Sequence, residues 1–148
     1  MNFKGSIILN DSHESGVPEL LKAILNQLTG NPIKLAIWLI EDIDLFKLNP
    51  QVIQTNSPFE GSDSILAGSG VLISIEPQNL ENVIHLLTTK DYLYHEILHL
   101  EIEVNGLVQF VAYDHFEAIL FGEDVSLNLL EHLKSREVIN RYELLSSS

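Results

Sequence analysis

The stretch that decides the fold runs from Leu98 to Tyr113 and reads LHLEIEVNGLVQFVAY. Apolar and polar residues alternate over 98–104, which is the period of a half-buried strand. Asn105-Gly106 follows, and this dipeptide is the strongest short-range signal for a two-residue hairpin turn. A second segment, 107–113, is again rich in β-branched and aromatic residues. The sequence therefore predicts a β-hairpin over residues 98–113.

A two-residue turn also fixes how the two predicted strands pair. Val104 pairs with Leu107, and counting outward pairs Ile102 with Gln109, Leu100 with Val111 and Leu98 with Tyr113. This face is mainly apolar and is expected to pack on helices. The opposite face would carry His99, Glu101 and Glu103 beside Ala112, Phe110 and Val108. A sheet face that is half polar and half apolar is typical of a partner-binding surface.

Three helices are predicted from apolar residues that recur at helical spacing. The first opens with Pro18 in its first turn and stops before Gly30, the second spans 79–88, and the third spans 126–135. Strands are predicted over 3–9, 33–40, 71–76, 115–121 and 138–144. Residues 33–40 are apolar enough for a strand that is buried on both faces. Residues 42–70 form a long irregular connection that either covers a binding face or holds short elements.

The chain has 148 residues, of which 45% are hydrophobic and 20% charged, as expected for a globular domain. The order of elements predicts the α+β class: a single mixed β-sheet of about five to seven strands, three main helices and a C-terminal β-hairpin. We expect one domain over residues 1–148, with a subdivision near residues 50–70 as the alternative. The apolar runs are far shorter than the roughly 18 residues of a membrane span, so we expect a cytoplasmic protein.

The charge balance excludes two classes of partner. There are 21 Asp and Glu residues against 8 Lys and Arg residues, which gives a net charge of −13. Such a surface repels nucleic-acid backbones and anionic membranes, so we expect neither as a partner. Because the chain contains no cysteine, disulfides, thiolate nucleophiles and cysteine-bound zinc are excluded as well.

One motif carries chemistry, His95-Glu96-Ile97-Leu98-His99, which matches H-E-x-x-H. On these five residues the chain resembles zinc metallopeptidases of the zincin type. The resemblance implies that His95 and His99 bind zinc and that Glu96 acts as general base on the metal-bound water. It also requires a helix, because residues four apart lie about 6 Å apart on a helix but roughly 13 Å apart on a strand. The alternation that continues from His99 to the hairpin turn favours a strand.

Carboxylates also cluster directly after the predicted buried strand, in Glu41-Asp42-Ile43-Asp44. The ends of strands in α/β sheets often bind ligands, and carboxylates there suit Mg²⁺. The alternative is a solvated loop.

These observations predict a non-enzymatic, acidic interaction protein that binds a basic protein partner without a cofactor. One concrete form is a bacterial immunity or antitoxin-like inhibitor, which offers carboxylates where the phosphates of a nucleic acid would sit. The candidate binding residues are Glu101, Glu103, Phe110, Asp114 and His115. The alternative is a zinc-dependent hydrolase with Glu96 as the catalytic residue and with His95 and His99 as ligands. A third hypothesis is a small-molecule-binding domain that uses residues 42–70 as a lid.

Overall fold

The computed structural model describes residues 3–10, 16–53 and 69–145. The strands are β1 (Gly5–Ile8), β2 (Ile33–Leu39), β3 (Gln51–Ile53), β4 (Ser69–Ile75), β5 (Ile97–Val104), β6 (Leu107–Tyr113), β7 (Ala118–Phe121) and β8 (Arg141–Leu144). The helices are α1 (Gly16–Leu28), α2 (Leu80–Thr89) and α3 (Leu127–Ser135), and short 3-10 turns lie at Phe46–Leu48 and Asp91–Leu93. The three predicted helices are confirmed. Residues 54–68 of the predicted irregular connection lie outside the described residues.

All eight strands form one sheet in the order β3-β4-β2-β5-β6-β7-β1-β8. Every neighbouring pair is antiparallel, so the α+β class is confirmed but the predicted mixed sheet of five to seven strands is wrong. The additional strand is β3, whose three residues are too few for a periodic pattern to be visible. The predicted hairpin is formed by β5 and β6, but it is not C-terminal as predicted: it lies in the middle of the sheet, and β7, α3 and β8 follow it.

The order of strands explains why the helices produce no parallel pair. Each helix joins two strands that run in the same direction, but these two strands are never neighbours. Strand β2 lies between β4 and β5, and β1 lies between β7 and β8, in each case as an antiparallel strand. Strands β1 and β2 themselves are separated by three others. A β-α-β succession along this chain therefore does not indicate parallel pairing.

The three helices pack on one face of the sheet. Their apolar residues form a single core with the inward-facing residues of the strands, among them Leu21, Ile37 and Phe121. Strand β2 is buried on both faces, as predicted, and its Ala36 and Trp38 form a smaller cluster on the second face. Within the described ranges, no helix has the length and apolar character needed to cross a membrane.

Candidate partner-binding site

The pairing of β5 with β6 departs from the predicted register. Val104 pairs with Leu107 as expected, but a β-bulge at Gln109 pairs Ile102 with Phe110. A slip of one residue turns the remaining part of a strand to the other face. Phe110 therefore lies in the helix-facing core with no exposed surface, and its expected placement on the acidic face is wrong.

The bulged residue, Gln109, forms hydrogen bonds with the segment that follows β7. The side-chain Oε1 of Gln109 accepts a hydrogen bond from the Asp124 N–H at 2.8 Å, and its backbone carbonyl accepts one from the Gly122 N–H at 2.8 Å. The Gly122 bond continues the regular β6–β7 ladder beyond the Phe110–Phe121 pair, whereas the Asp124 bond is accepted by the Gln109 side chain. A side chain at position 122 would meet the Gln109 amide, since a Cβ there would lie 2.5 Å from Oε1.

Two of the predicted polar residues are buried on the second face of the sheet. Glu101 has no exposed surface, and one carboxylate oxygen accepts a hydrogen bond from the Tyr113 hydroxyl at 2.6 Å. His99 is 8% exposed, and its ring stands edge-to-face against Tyr113 with centroids 5.6 Å apart. Its Nδ1 accepts a hydrogen bond from the Asp114 N–H at 3.1 Å. These two side chains are therefore not a docking surface by themselves.

Burial also sets the protonation state of His99. Removal from water lowers the pKa of His99 below its ordinary value of 6.5. The carboxylates of Asp114 and Glu101 oppose this lowering, whereas the neighbouring His115 adds to it. With Nδ1 acting as an acceptor, the neutral ring carries its proton on Nε2.

The arrangement that the zincin resemblance requires is not formed. Residues 94–96 form a turn and β5 begins at Ile97, so His95 is exposed at the turn and His99 lies in a strand. The strand interpretation of residues 97–104 is confirmed, and the helix needed for two imidazoles on one ion is missing. Throughout the described residues, no group of three or more His, Asp or Glu side chains is placed to hold a metal ion. This finding includes Glu41, Asp42 and Asp44.

Glu103 stabilises the hairpin turn. Its Oε1 accepts a hydrogen bond from the Gly106 N–H at 3.0 Å. Asn105 and Gly106 both have positive φ, as a turn of this type needs. Glu103 is half-buried, and its carboxylate is already bonded to the backbone of the hairpin turn.

Asp114 and His115 lie in the turn between β6 and β7. Asp114, His115 and Phe116 have φ values of 52°, 56° and 68°, which cost roughly 1 kcal/mol or more per residue outside glycine. The turn closes with a hydrogen bond from the Glu117 N–H to the Asp114 carbonyl at 3.2 Å. Phe116 is buried in the core, which offsets this strain. The same turn leaves the Asp114 side chain 72% exposed.

Three segments with carboxylates lie side by side at one end of the sheet. Strands β2, β5, β6 and β7 are consecutive neighbours, so residues 40–44, 94–96 and 114–117 meet at that end. A backbone hydrogen bond from the Ile40 N–H to the Glu96 carbonyl at 2.8 Å joins the first two segments, and one from the His115 N–H to the Leu98 carbonyl at 2.9 Å joins the third segment to strand β5. We use the name acidic end for the following side chains: Glu41, Asp42, Glu96, Asp114 and Glu117.

The acidic end has no positive charge to balance it. Its three segments contain no Lys or Arg, and all of its carboxylates are exposed except the half-buried Glu96. Within the described part of the chain, the one ion pair of a Lys or Arg joins Arg141 to Glu143 at 3.1 Å, in the edge strand β8. The acidic end therefore presents a concentrated, uncompensated negative charge.

Sequence reasoning identified part of this surface. Asp114 and His115 are predicted binding residues, whereas the sequence indicates Glu41 and Asp42 only as magnesium ligands or a solvated loop and Glu96 only as a general base. It places Glu117 in no binding site. Each of these residues follows a recognisable strand, which is the one signal that the sequence offers. Their proximity depends on the order of strands in the sheet, which local patterns do not determine.

The chain was compared with known protein families, curated proteins and solved structures. No protein-family model, no curated protein and no solved structure matches the chain. The functional inference therefore rests on the charges and contacts of the chain itself.

Proposed function

We propose that this chain is a non-enzymatic binding protein that recognises a basic protein partner through the acidic end. The observation that carries the proposal is the convergence of five carboxylates from three segments, none of them paired with Lys or Arg. Like charges held close together repel one another and lower stability. A partner with Lys and Arg side chains at matching positions would remove this repulsion.

The acidic end is suited to binding because its three segments are held in place before any partner arrives. One backbone hydrogen bond joins residues 40–44 to residues 94–96, a second joins residues 114–117 to strand β5, and Phe116 fixes the β6–β7 turn in the core. A surface that is already ordered loses less conformational entropy on association than a mobile one. The carboxylates can therefore contribute to affinity without an ordering penalty on the backbone.

Charge alone would give a fast but weak complex. An exposed ion pair contributes about 0.2–1 kcal/mol, so five pairs supply only a part of the affinity of a stable complex. Two exposed apolar side chains follow β2 next to the acidic residues: Ile40 is 57% exposed and Phe46 is 84% exposed. We expect the partner to cover these with apolar surface, while the carboxylates set its orientation and its association rate.

The finer form of the proposal is an immunity or antitoxin-like inhibitor of a basic, nucleic-acid-binding protein. Carboxylates at the acidic end would occupy the cationic surface that otherwise contacts phosphates. In this form, adding the wild-type chain to its partner displaces nucleic acid from that partner. A partner that binds the chain and its nucleic acid at the same time would contradict this form while leaving the broader proposal intact.

Charge-neutral variants test the broader proposal. In one variant the acidic end is changed by Glu41→Gln, Asp42→Asn and Glu117→Gln, whose side chains make no hydrogen bond or ion pair in the described structure. The control carries Glu76→Gln, Glu123→Gln and Asp124→Asn at the opposite end of the sheet, with the same change in net charge. Binding of a labelled oligolysine peptide is measured by fluorescence anisotropy for both variants.

We expect the acidic-end variant to bind the peptide roughly tenfold more weakly than wild type, since each lost pair is worth about 0.5 kcal/mol. The control is expected to change the affinity less than about twofold. Added salt should weaken wild-type binding, because screening shortens the range of the interaction. An equal loss of affinity in both variants would mean that the net charge acts alone, and the acidic end would then not be a binding site.

A further inference from the structure

A groove on the helix side of the molecule carries the opposite charge to the acidic end. It lies between the 3-10 turn Phe46–Leu48, the second half of α2 and the segment after α2, and its volume is about 590 Å³. Sites for small molecules commonly have volumes of roughly 300–1,000 Å³. The lining residues are Asp44, Lys47, Leu48, Asn82, His85, Leu86, Thr89, Lys90 and Tyr92.

The rim of this groove carries several donor side chains that have no hydrogen-bond or ion-pair partner among the described residues. Lys47 and Lys90 both line it, and neither forms an ion pair with a carboxylate of the described residues. The side chains of Asn82 and His85 likewise form no hydrogen bond in that part of the chain. The single carboxylate on the rim, Asp44, already accepts a hydrogen bond from the Phe46 N–H at 3.1 Å. The rim is therefore able to receive an anion.

The floor of the groove is apolar. Leu48 is 8% exposed, and Leu86 and Tyr92 are half-buried beside it. The Lys90 ammonium lies 5.7 Å from the centre of the Tyr92 ring, so a cation and an aromatic face are presented together. A ligand that combines a negative group with an apolar or aromatic body fits both the floor and the rim.

The groove also contains a charge that opposes an anion. The C-terminal end of α2 lies there, and the carbonyls at a helix C-terminus carry about half a negative charge. The two ammonium groups outweigh this partial charge and the Asp44 carboxylate together, although by only about half a charge. The neighbouring groove between α1 and α2, about 380 Å³, lacks such an excess because Glu19 and Glu81 line it together with Lys22.

We propose that the groove between Lys47 and Lys90, the lysine groove, binds a small organic anion, either a carboxylate or a phosphate monoester. The ammonium groups would hold the anionic group by charge-assisted hydrogen bonds. The apolar part would lie on Leu48, Leu86 and Tyr92. This site adjoins the surface proposed for the partner at the Phe46–Leu48 turn, but it is argued from other side chains, Lys47 and Lys90, and from the opposite charge.

Three probes of equal ring size test the proposal: benzoate, phenyl phosphate and phenol. Each is titrated into ¹⁵N-labelled protein in the millimolar range, and amide shifts are followed. We expect both anions to shift the amides of Lys47, Leu48, Leu86 and Lys90, with phenol binding at least roughly tenfold more weakly. The tighter of the two anions identifies the ligand as a carboxylate or a phosphate monoester.

Matched charge variants complete the test. Lys47→Gln combined with Lys90→Gln should weaken binding of the better anion roughly tenfold, since two charge-assisted contacts are lost. Lys34→Gln combined with Lys134→Gln removes the same charge elsewhere and should leave the affinity within about twofold. The proposal is overturned if phenol binds as tightly as the anions, if the control variant weakens binding equally, or if the shifts fall outside the groove.

Discussion

Glu101 is the only carboxylate of the described residues whose side chain is buried. Its place in the alternation of β5 indicates the face away from the helices, and the sequence therefore predicted an exposed residue. That face is buried at this point, as Trp38 and His99 also show. A carboxylate removed from water needs hydrogen bonds, and the Tyr113 hydroxyl supplies one at 2.6 Å.

Tyr113→Phe should therefore destabilise the protein. The change leaves the buried carboxylate of Glu101 without the hydroxyl donor, and we expect the free energy of unfolding to fall by about 1–3 kcal/mol. Urea unfolding followed by circular dichroism measures the loss.

Tyr142→Phe is the matched control for this substitution. The Tyr142 hydroxyl also donates to a glutamate, Glu131, at 2.6 Å, but that pair is exposed. Water can replace the lost donor there, so the control should lose much less stability than Tyr113→Phe. Equal losses of unfolding free energy in the two variants would show that the burial of Glu101 does not make its hydrogen bond more stabilising.

His99 should make the stability of the protein depend on pH. Burial lowers its pKa in the folded state, so on acidification the unfolded chain takes up this proton first. The contribution of His99 to the stability of the folded protein is complete above its ordinary pKa of 6.5. It is lost as pH falls through the lower pKa of the folded state. We expect wild type to lose more stability than His99→Asn between about pH 7.5 and pH 5.

The His99→Asn variant is a suitable reference because its side-chain oxygen can still accept the Asp114 N–H. Subtracting the free energies of unfolding of the two proteins at each pH cancels the titration of the carboxylates and of the other histidines. The burial of a neutral His99 ring would be contradicted if the difference in free energy of unfolding between the two proteins did not change with pH. It would also be contradicted if wild type became relatively more stable on acidification.

At the scale of elements, the hairpin was predictable and its register was not. Alternation and the dipeptide Asn105-Gly106 are local signals, and both strands form where these signals place them. The bulge at Gln109 is accompanied by hydrogen bonds with Gly122 and Asp124, which lie outside the hairpin in the sequence. No pattern within the hairpin contains this information, and for that reason Phe110 was assigned to the wrong face.

Glycine at the hairpin turn gives a test of its geometry. Gly106 has φ of +88°, and Gly106→Ala should lower the free energy of unfolding by about 1 kcal/mol. Gly30→Ala is the control, because open space surrounds both positions and Gly30 lacks a positive φ. The control should stay within about 0.5 kcal/mol of wild type in chemical unfolding. A neutral Gly106→Ala variant would contradict the predicted turn type.

The same contrast between local and distant information separates the helices from the sheet order. Apolar spacing in α1, α2 and α3 placed all three helices correctly. Each of them, however, crosses over at least one strand before the chain returns to the sheet. The position of β2 between β4 and β5 is a matter of pairing between strands that are distant in the sequence, which no local pattern contains. For this reason the prediction of a mixed sheet is wrong.

For the molecule as a whole, the distribution of charge, and not the net charge, indicates where a partner or ligand can bind. A net charge of −13 indicated an acidic surface, but it gave no location for a binding site. The fold concentrates carboxylates at the acidic end and places Lys47 and Lys90 around a groove on the helix side. Of the predicted binding residues, Asp114 and His115 lie at this end, whereas Glu101 and Phe110 are buried and Glu103 supports the hairpin turn.

Chemical-shift mapping of the ¹⁵N-labelled chain with an oligolysine peptide is the most direct measurement of the central claim. The account predicts that the perturbed amides lie in residues 40–44, 94–96 and 114–117, and that added salt reverses the shifts. Perturbations spread evenly over the surface, or centred on Glu76, Glu123 and Asp124 at the opposite end of the sheet, would contradict it.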